Sequence, residues 1–114
     1  MLLKEKEKIE AWLNKYNIKN YELITDEKYG YVVNVFEDVE LSYKGLKCIE
    51  VKFNEIEGGF NCSYNKLKEL EGSPEIVNGI FNCSKNELKS LDGCPKIIKK
   101  DFYCHSNQLE KLEY

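Results

Sequence analysis

Residues 59–78 read Gly-Phe-Asn-Cys-Ser-Tyr-Asn-Lys-Leu-Lys-Glu-Leu-Glu-Gly-Ser-Pro-Glu-Ile-Val-Asn, and residues 80–99 return as Ile-Phe-Asn-Cys-Ser-Lys-Asn-Glu-Leu-Lys-Ser-Leu-Asp-Gly-Cys-Pro-Lys-Ile-Ile-Lys. A shortened third copy runs from Asp101 to Tyr114. Phe60, Phe81 and Phe102 stand 21 residues apart, and so do Cys62, Cys83 and Cys104. Asn65, Asn86 and Asn107 keep the same step, as do Leu67, Leu88 and Leu109, then Leu70, Leu91 and Leu112. A unit this short cannot bury its apolar side alone, so the copies must stack into a solenoid with one continuous core.

Each column has a physical task. In Phe-x-Cys the period of two sends both side chains to the inner face of a short strand, with Asn61, Asn82 and Tyr103 facing outward. Stacked copies then make a parallel sheet. The asparagine after each strand sits where the chain turns, and its amide can bond backbone groups that the turn leaves unpaired. The leucines close the core behind the turn. Gly72-Ser73-Pro74 and Gly93-Cys94-Pro95 then punctuate the chain before an Ile-Val or Ile-Ile pair. That return leg is too short for a long helix, and extended or single-turn 3₁₀ structure is expected there, giving a flat, weakly curved solenoid. Stepping back 21 residues reaches Val39, Leu41, Leu46 and Ile49, all apolar. They predict an irregular first repeat whose asparagine column is broken at Lys44 and whose Gly-x-Pro column is broken at Val51 and Phe53.

Ahead of the repeats, Ile9, Trp12, Leu13 and Tyr16 follow the i, i+3, i+4, i+7 pattern of a helix predicted over residues 2–16. Lys4, Glu5, Lys8 and Lys15 hold its polar side. With strand-like Tyr21 to Ile24 and Tyr31 to Phe36, this helix is expected to cover the open end of the solenoid. The chain reads as a single domain over 1–114, with a cap over 1–37 and the solenoid over 38–114.

Composition narrows the function. With 42% hydrophobic and 32% charged residues the chain has the balance of a soluble globular protein. Acidic residues alternate with the lysines at the N-terminus and no apolar segment follows, so a cytoplasmic location and no membrane partner are expected. The net charge is −3, and along the chain no group of lysines stands clear of Glu and Asp, which argues against direct nucleic-acid binding. The equal spacing of Cys62, Cys83 and Cys104 departs from the close Cys-x-x-Cys pairs of zinc motifs and assigns them to the core register. Cys48 and Cys94 fall outside that column and read as incidental. His105 follows Cys104 on a strand, so the two point to opposite faces, which disfavours both a shared metal and a nucleophilic pair. No metal, no cofactor and no enzymatic activity are expected.

The unit Phe-x-Cys-x-x-Asn-x-Leu-x-x-Leu resembles the leucine-rich-repeat pattern, with Phe and Cys in place of the first two leucines. Together with Val-Glu-Leu-Ser-Tyr-Lys-Gly-Leu at 39–46 and the Leu-x-x-Leu-x-Gly-x-Pro units, it resembles the short leucine-rich-repeat proteins of bacteriophages and mobile elements. That resemblance implies an α+β fold, a leucine-rich-repeat-like parallel β solenoid with an N-terminal capping helix. It also implies a phage or prophage context and a protein-binding scaffold. In that context the expected role is an anti-defence inhibitor, such as an anti-CRISPR protein occupying a host effector in the host cytoplasm. The alternative is an accessory phage structural or assembly protein.

The candidate binding face carries three outward columns: Glu40, Asn61, Asn82 and Tyr103; Ser42, Ser63, Ser84 and His105; and Tyr43, Tyr64, Lys85 and Ser106. Tyr43, Tyr64 and Tyr103 are the expected anchors, since tyrosine offers large amphipathic area at low rotamer cost. A second candidate is the C-terminal edge around Phe102 to Cys104, where a partner strand or a second copy can add. There Glu110, Lys111 and Glu113 form a mixed-charge tail able to shield it.

Overall fold

The computed structural model describes residues 2–110. Its helix α1 spans Lys6–Lys15 and buries Ile9, Trp12 and Leu13. It starts later than the pattern suggests because the N–H of Leu3 is bonded instead to the carbonyl of Glu50 at 2.7 Å. The helix ends where Asn17 enters the left-handed region at φ 64° and the N–H of Ile18 returns to the carbonyl of Leu13 at 2.9 Å, a common way to satisfy the last carbonyls.

Strands β1 (Tyr21–Asp26) and β2 (Gly30–Val35) form an antiparallel hairpin. Asp26 closes it by accepting the N–H groups of Lys28 and Tyr29, both at 2.9 Å. Short strands follow: β3 (Val39–Glu40), β4 (Phe53–Ile56), β5 (Phe60–Asn61), β6 (Ile76–Val77), β7 (Phe81–Asn82), β8 (Ile97–Ile98) and β9 (Phe102–Tyr103). One sheet has the order β3-β5-β7-β9, and its pairs are parallel and in 21-residue register, Phe60 opposite Phe81 and Phe81 opposite Phe102. This is the predicted α+β parallel solenoid.

The return leg is extended, as expected, but it also builds a second sheet, β1-β2-β4-β6-β8. Ile76 pairs with Ile97 and Val77 with Ile98. The hairpin belongs to this sheet, since β2 lies parallel to β4 with Val33 opposite Phe53. The cap therefore prolongs one wall of the coil, and the helix closes the core beside it. Trp12 packs edge-on to Phe53 at 6.2 Å, and its Nε1 donates to Glu50 Oε2 at 3.1 Å.

Between the sheets runs a phenylalanine column: Phe53 to Phe60 at 5.1 Å, Phe60 to Phe81 at 5.9 Å and Phe81 to Phe102 at 5.6 Å between ring centres. Phe53, Phe60 and Phe81 are fully buried, each contributing roughly 1.5–3 kcal/mol by burial. Cys62 and Cys83 are fully buried, and the irregular first repeat holds, with Val39, Leu41, Leu46 and Ile49 all in the core.

The asparagine ladder forms as the sequence predicts. Asn65 Oδ1 accepts the N–H groups of Lys44 and Leu46, both at 3.0 Å, and its Nδ2 donates to the carbonyls of Leu41, Cys62 and Ser63. Asn86 Oδ1 accepts from Leu67 and Asn107 Oδ1 from Leu88, again at 3.0 Å. Each amide thus ties its own turn to the one before it.

The broken Gly-x-Pro column has a physical consequence. Phe53 stands where the later repeats have Pro74 and Pro95, and its N–H donates to the carbonyl of Gly72 at 2.9 Å, which proline cannot do. One turn later the Gly93 carbonyl is taken by Ser73 Oγ at 2.5 Å. Gly72 itself has φ +96°, and a Cβ there would stand 2.7 Å from the carbonyl oxygens of Ile49 and Val51.

Candidate functional site

At the end of each strand of the smaller sheet the chain turns a corner. There Tyr43, Tyr64, Lys85 and Ser106 adopt φ of 56°, 55°, 58° and 56°, a left-handed conformation costing roughly 1–2 kcal/mol for a residue with a Cβ. Three sets of bonds hold it. Before the corner, Glu40 Oε1, Asn61 Oδ1 and Asn82 Oδ1 each accept both the N–H and the hydroxyl of the serine two residues on, Ser42, Ser63 and Ser84. After it comes the asparagine ladder. Across it, the N–H groups of Tyr43, Tyr64 and Lys85 donate to the carbonyls of Ser63, Ser84 and His105.

Successive corner side chains therefore project side by side. Tyr43 and Tyr64 stack with ring centres 4.3 Å apart and planes 15° apart, and Lys85 Nζ lies 5.9 Å from the Tyr64 ring centre. Tyr43 is 70% exposed and Tyr64 45%.

The other two columns divide. Ser63 and Ser84, expected to face solvent, are buried. The in–out alternation runs through Cys62 and Cys83 and stops there, and the serine hydroxyls fold back onto Asn61 and Asn82 to close the turn. His105, in the same column, is exposed, with Nδ1 3.2 Å from Ser106 Oγ. Glu40 is exposed, and Asn61 and Asn82 are half-buried. Their acceptor atoms serve the turns, so they contribute a surface rather than free hydrogen-bonding groups. Tyr103 ends that column 43% exposed, its hydroxyl donating to Asp101 Oδ2 at 3.3 Å.

In front of this column lies an open groove of about 470 Å³, bordered by Asp38, Gly59, Ile80, Asn82, Lys100 and Tyr103. Glycine opens the corner ahead of two of these strands, Gly58 and Gly59 before β5 and Gly79 before β7. A Cβ on Gly79 would meet the Gly59 nitrogen at 2.7 Å. A second concavity of about 710 Å³ lies at the Gly-x-Pro corner. Lys52, the buried counterpart of Ser73 and Cys94 in the 21-residue register, reaches it and donates from Nζ to the Ser73 carbonyl and Glu75 Oε2, both at 2.6 Å. That bond holds the Glu75 carboxyl below its ordinary value. Cys94, set aside as incidental, belongs to this column.

Linear reading missed a further feature. Lys47, Lys68 and Lys89 stand 21 residues apart and are all exposed. They lie on a flank whose turns are bonded together, Lys66 N–H to Leu46 at 2.8 Å, Glu87 N–H to Leu67 at 2.9 Å and Gln108 N–H to Leu88 at 2.9 Å. The signal was present as a thrice-repeated Leu-Lys pair at 46–47, 67–68 and 88–89.

Burial pushes the Cys62 thiol up to about 12 and that of Cys94 up to about 11, and raises Cys83 as well. Neutral buried thiols are poor nucleophiles. Among the described residues no group of three or more His, Cys, Asp or Glu is placed to hold a metal ion, and no helix is long and apolar enough to cross a membrane. At the C-terminal edge β8 and β9 end their sheets among the described residues, with Ile97 48% exposed. Leu112, Lys111 and Glu113 lie outside the described residues. Compared with protein-family models, with curated proteins and with solved structures, the chain matches none.

Proposed function

We propose that the protein is a non-enzymatic binding module that recognises another protein through the corner and face of its smaller sheet. The observation that carries this reading is the stacked, exposed Tyr43–Tyr64 pair on a corner fixed by hydrogen bonds on every side. Exposed rings held rigid lose little entropy on binding and bury a large amphipathic area. The molecule measures 36 × 27 × 26 Å, so its broad side is of the size of the roughly 800 Å² per partner that a standard interface covers. Tyr103 and the groove beside it extend the same surface.

The finer reading follows from the resemblance of the repeat to phage leucine-rich-repeat proteins. The module acts as a phage-derived inhibitor that occupies a surface of a host defence complex, of the CRISPR effector class. Expressing the chain in a host with an active CRISPR system tests this. Restored plaque formation by a targeted phage, together with capture of the effector on the tagged protein, is the expected outcome. Unimpaired immunity with no captured effector removes the inhibitor reading. Tyr64→Ala with Tyr103→Ala should weaken capture while leaving circular dichroism unchanged and costing no more stability than the lost ring stack, about 0.5–1.5 kcal/mol, and undiminished capture by that variant removes the face assignment.

A further inference from the structure

The lysine stripe carries an inference beyond the protein-binding reading, with which it shares the Tyr43–Tyr64 pair. Neighbouring strands stand about 4.8 Å apart, so Lys47, Lys68 and Lys89 set three like charges in a line about 10 Å long. None of the three forms an ion pair with a described residue. Stacked like charges destabilise a sheet-like array, and an anion lying along the stripe removes that repulsion. Lys44 and Lys66 stand on the same three turns, with Glu87 among them, while the exposed Glu69 that follows Lys68 borders the Gly-x-Pro concavity together with Glu71. Beyond the buried Ile49, Leu70 and Leu91 runs the opposite stripe, Glu50, Glu71 and Asp92, which confines an anion to the lysine side. At the corner N-terminal to the stripe in every turn stand the stacked rings of Tyr43 and Tyr64, with Lys85 beyond.

We infer that this flank binds single-stranded nucleic acid, about three to four nucleotides running across the turns, with phosphates on Lys47, Lys68 and Lys89 and a base against the tyrosine pair. Cationic side chains that track a backbone beside aromatic faces that accept any base are the two parts of sequence-tolerant single-strand recognition. A purely acidic segment such as oligoglutamate would meet the lysines but carries no planar group to stack on the ring faces. The linear sequence hides the stripe because each lysine is separated from the next by acidic residues, of which Glu50 and Glu71 stand in the opposite stripe. The overall charge of −3 makes the long-range field repulsive and the binding modest, dependent on contact rather than steering.

Fluorescence anisotropy of labelled oligo(dT)₁₂ titrated with the full chain tests this. Three phosphate contacts predict a slope of about −2 in log affinity against log salt, a loss of about 16-fold between 50 and 200 mM salt. Combining Lys47→Gln, Lys68→Gln and Lys89→Gln should lower affinity at least tenfold and flatten the slope, with circular dichroism unchanged and melting unchanged or raised. Tyr43→Ala with Tyr64→Ala should weaken binding about tenfold and leave the slope intact. No anisotropy change at 50 mM salt, equal binding by the lysine variant, or an oligoglutamate peptide that outcompetes oligo(dT) would each overturn the proposal, the last in favour of an acidic protein segment.

Discussion

Replacing Asn86 by alanine tests the physical account of the repeat most directly. Its Oδ1 accepts the N–H of Leu67 at 3.0 Å, and its Nδ2 donates to the carbonyls of Cys62, Cys83 and Ser84 at 3.0, 3.1 and 3.2 Å. The carbonyls keep other donors after truncation: Asn65 still reaches Cys62, Asn107 still reaches Cys83, and the N–H of Tyr64 still reaches Ser84. The Leu67 N–H keeps no second partner of this kind. The loss is then one orphaned buried donor, about 1–3 kcal/mol, plus three shared bonds of smaller worth, a total of roughly 2–4 kcal/mol. At about 4 °C per kcal/mol for a chain of this size, melting falls by roughly 8–16 °C. The same reasoning ranks the ladder. Asn65→Ala orphans two donors, Lys44 and Leu46, and should cost most. Asn107→Ala orphans Leu88 at a partly buried site and should cost least. Urea unfolding of the three variants, compared by midpoint at constant m-value, reads the order. Equal midpoints, or Asn107 as the most sensitive position, would refute the ladder as a stabilising device.

Gly79→Ala should destabilise by about 1–3 kcal/mol in chemical denaturation through overpacking, because its Cβ has only 2.7 Å to the Gly59 nitrogen. Glu75 has its carboxyl lowered in the fold, first by the Lys52 hydrogen bond. Its contribution is therefore present above the ordinary value of 4.5 and lost as pH falls through the lowered folded value. In stability measured against pH, Lys52→Met should flatten the decline below that point, and an unchanged profile counts against the pair. Cys62 and Cys94 are held neutral, so the stability their burial gives is intact below pH 9 and declines as pH rises toward 12. Cys62→Ala should lessen that alkaline loss. In the folded protein a disulfide reagent at pH 8 should label Cys62 and Cys83 far more slowly than Cys48.

The core register was legible in the sequence because a 21-residue column repeats its side chain only where packing permits little else. Phe81 packs against both Phe60 and Phe102, and Asn65 and Asn86 each serve two turns. The second sheet was less legible. Its strands β6 and β8 are two residues long, too short for a period of two to register, and its first member, Phe53–Ile56, lies in the irregular repeat. The buried hydroxyls of Ser63 and Ser84 were hidden by extending a strand past the residue where the chain turns. The lysine stripe escaped because charge was weighed along the chain, while a solenoid displays charge down its columns. The second sheet and the stripe are relations between turns, whereas the serines close a bond within one, to the asparagine two residues before.

The corner poses a question that stability alone does not answer. At φ near +55° glycine is free of the Cβ clash and asparagine tolerates the conformation, yet Tyr43, Tyr64 and Lys85 occupy it. The ring stack returns about 0.5–1.5 kcal/mol, comparable to the backbone cost of a single residue and insufficient for two. If the tyrosines served the fold, Tyr64→Gly would destabilise clearly. If they serve recognition, relief of the backbone offsets the lost stack, and stability should stay within about 1 kcal/mol of the parent. Capture of a protein partner, or of oligo(dT), should fall at least tenfold in the same variant. Denaturation and binding measured on one preparation separate the cases. A stability loss above about 2 kcal/mol with binding retained would make the corner a structural brace, whereas intact stability with lost binding marks backbone strain held at a recognition site.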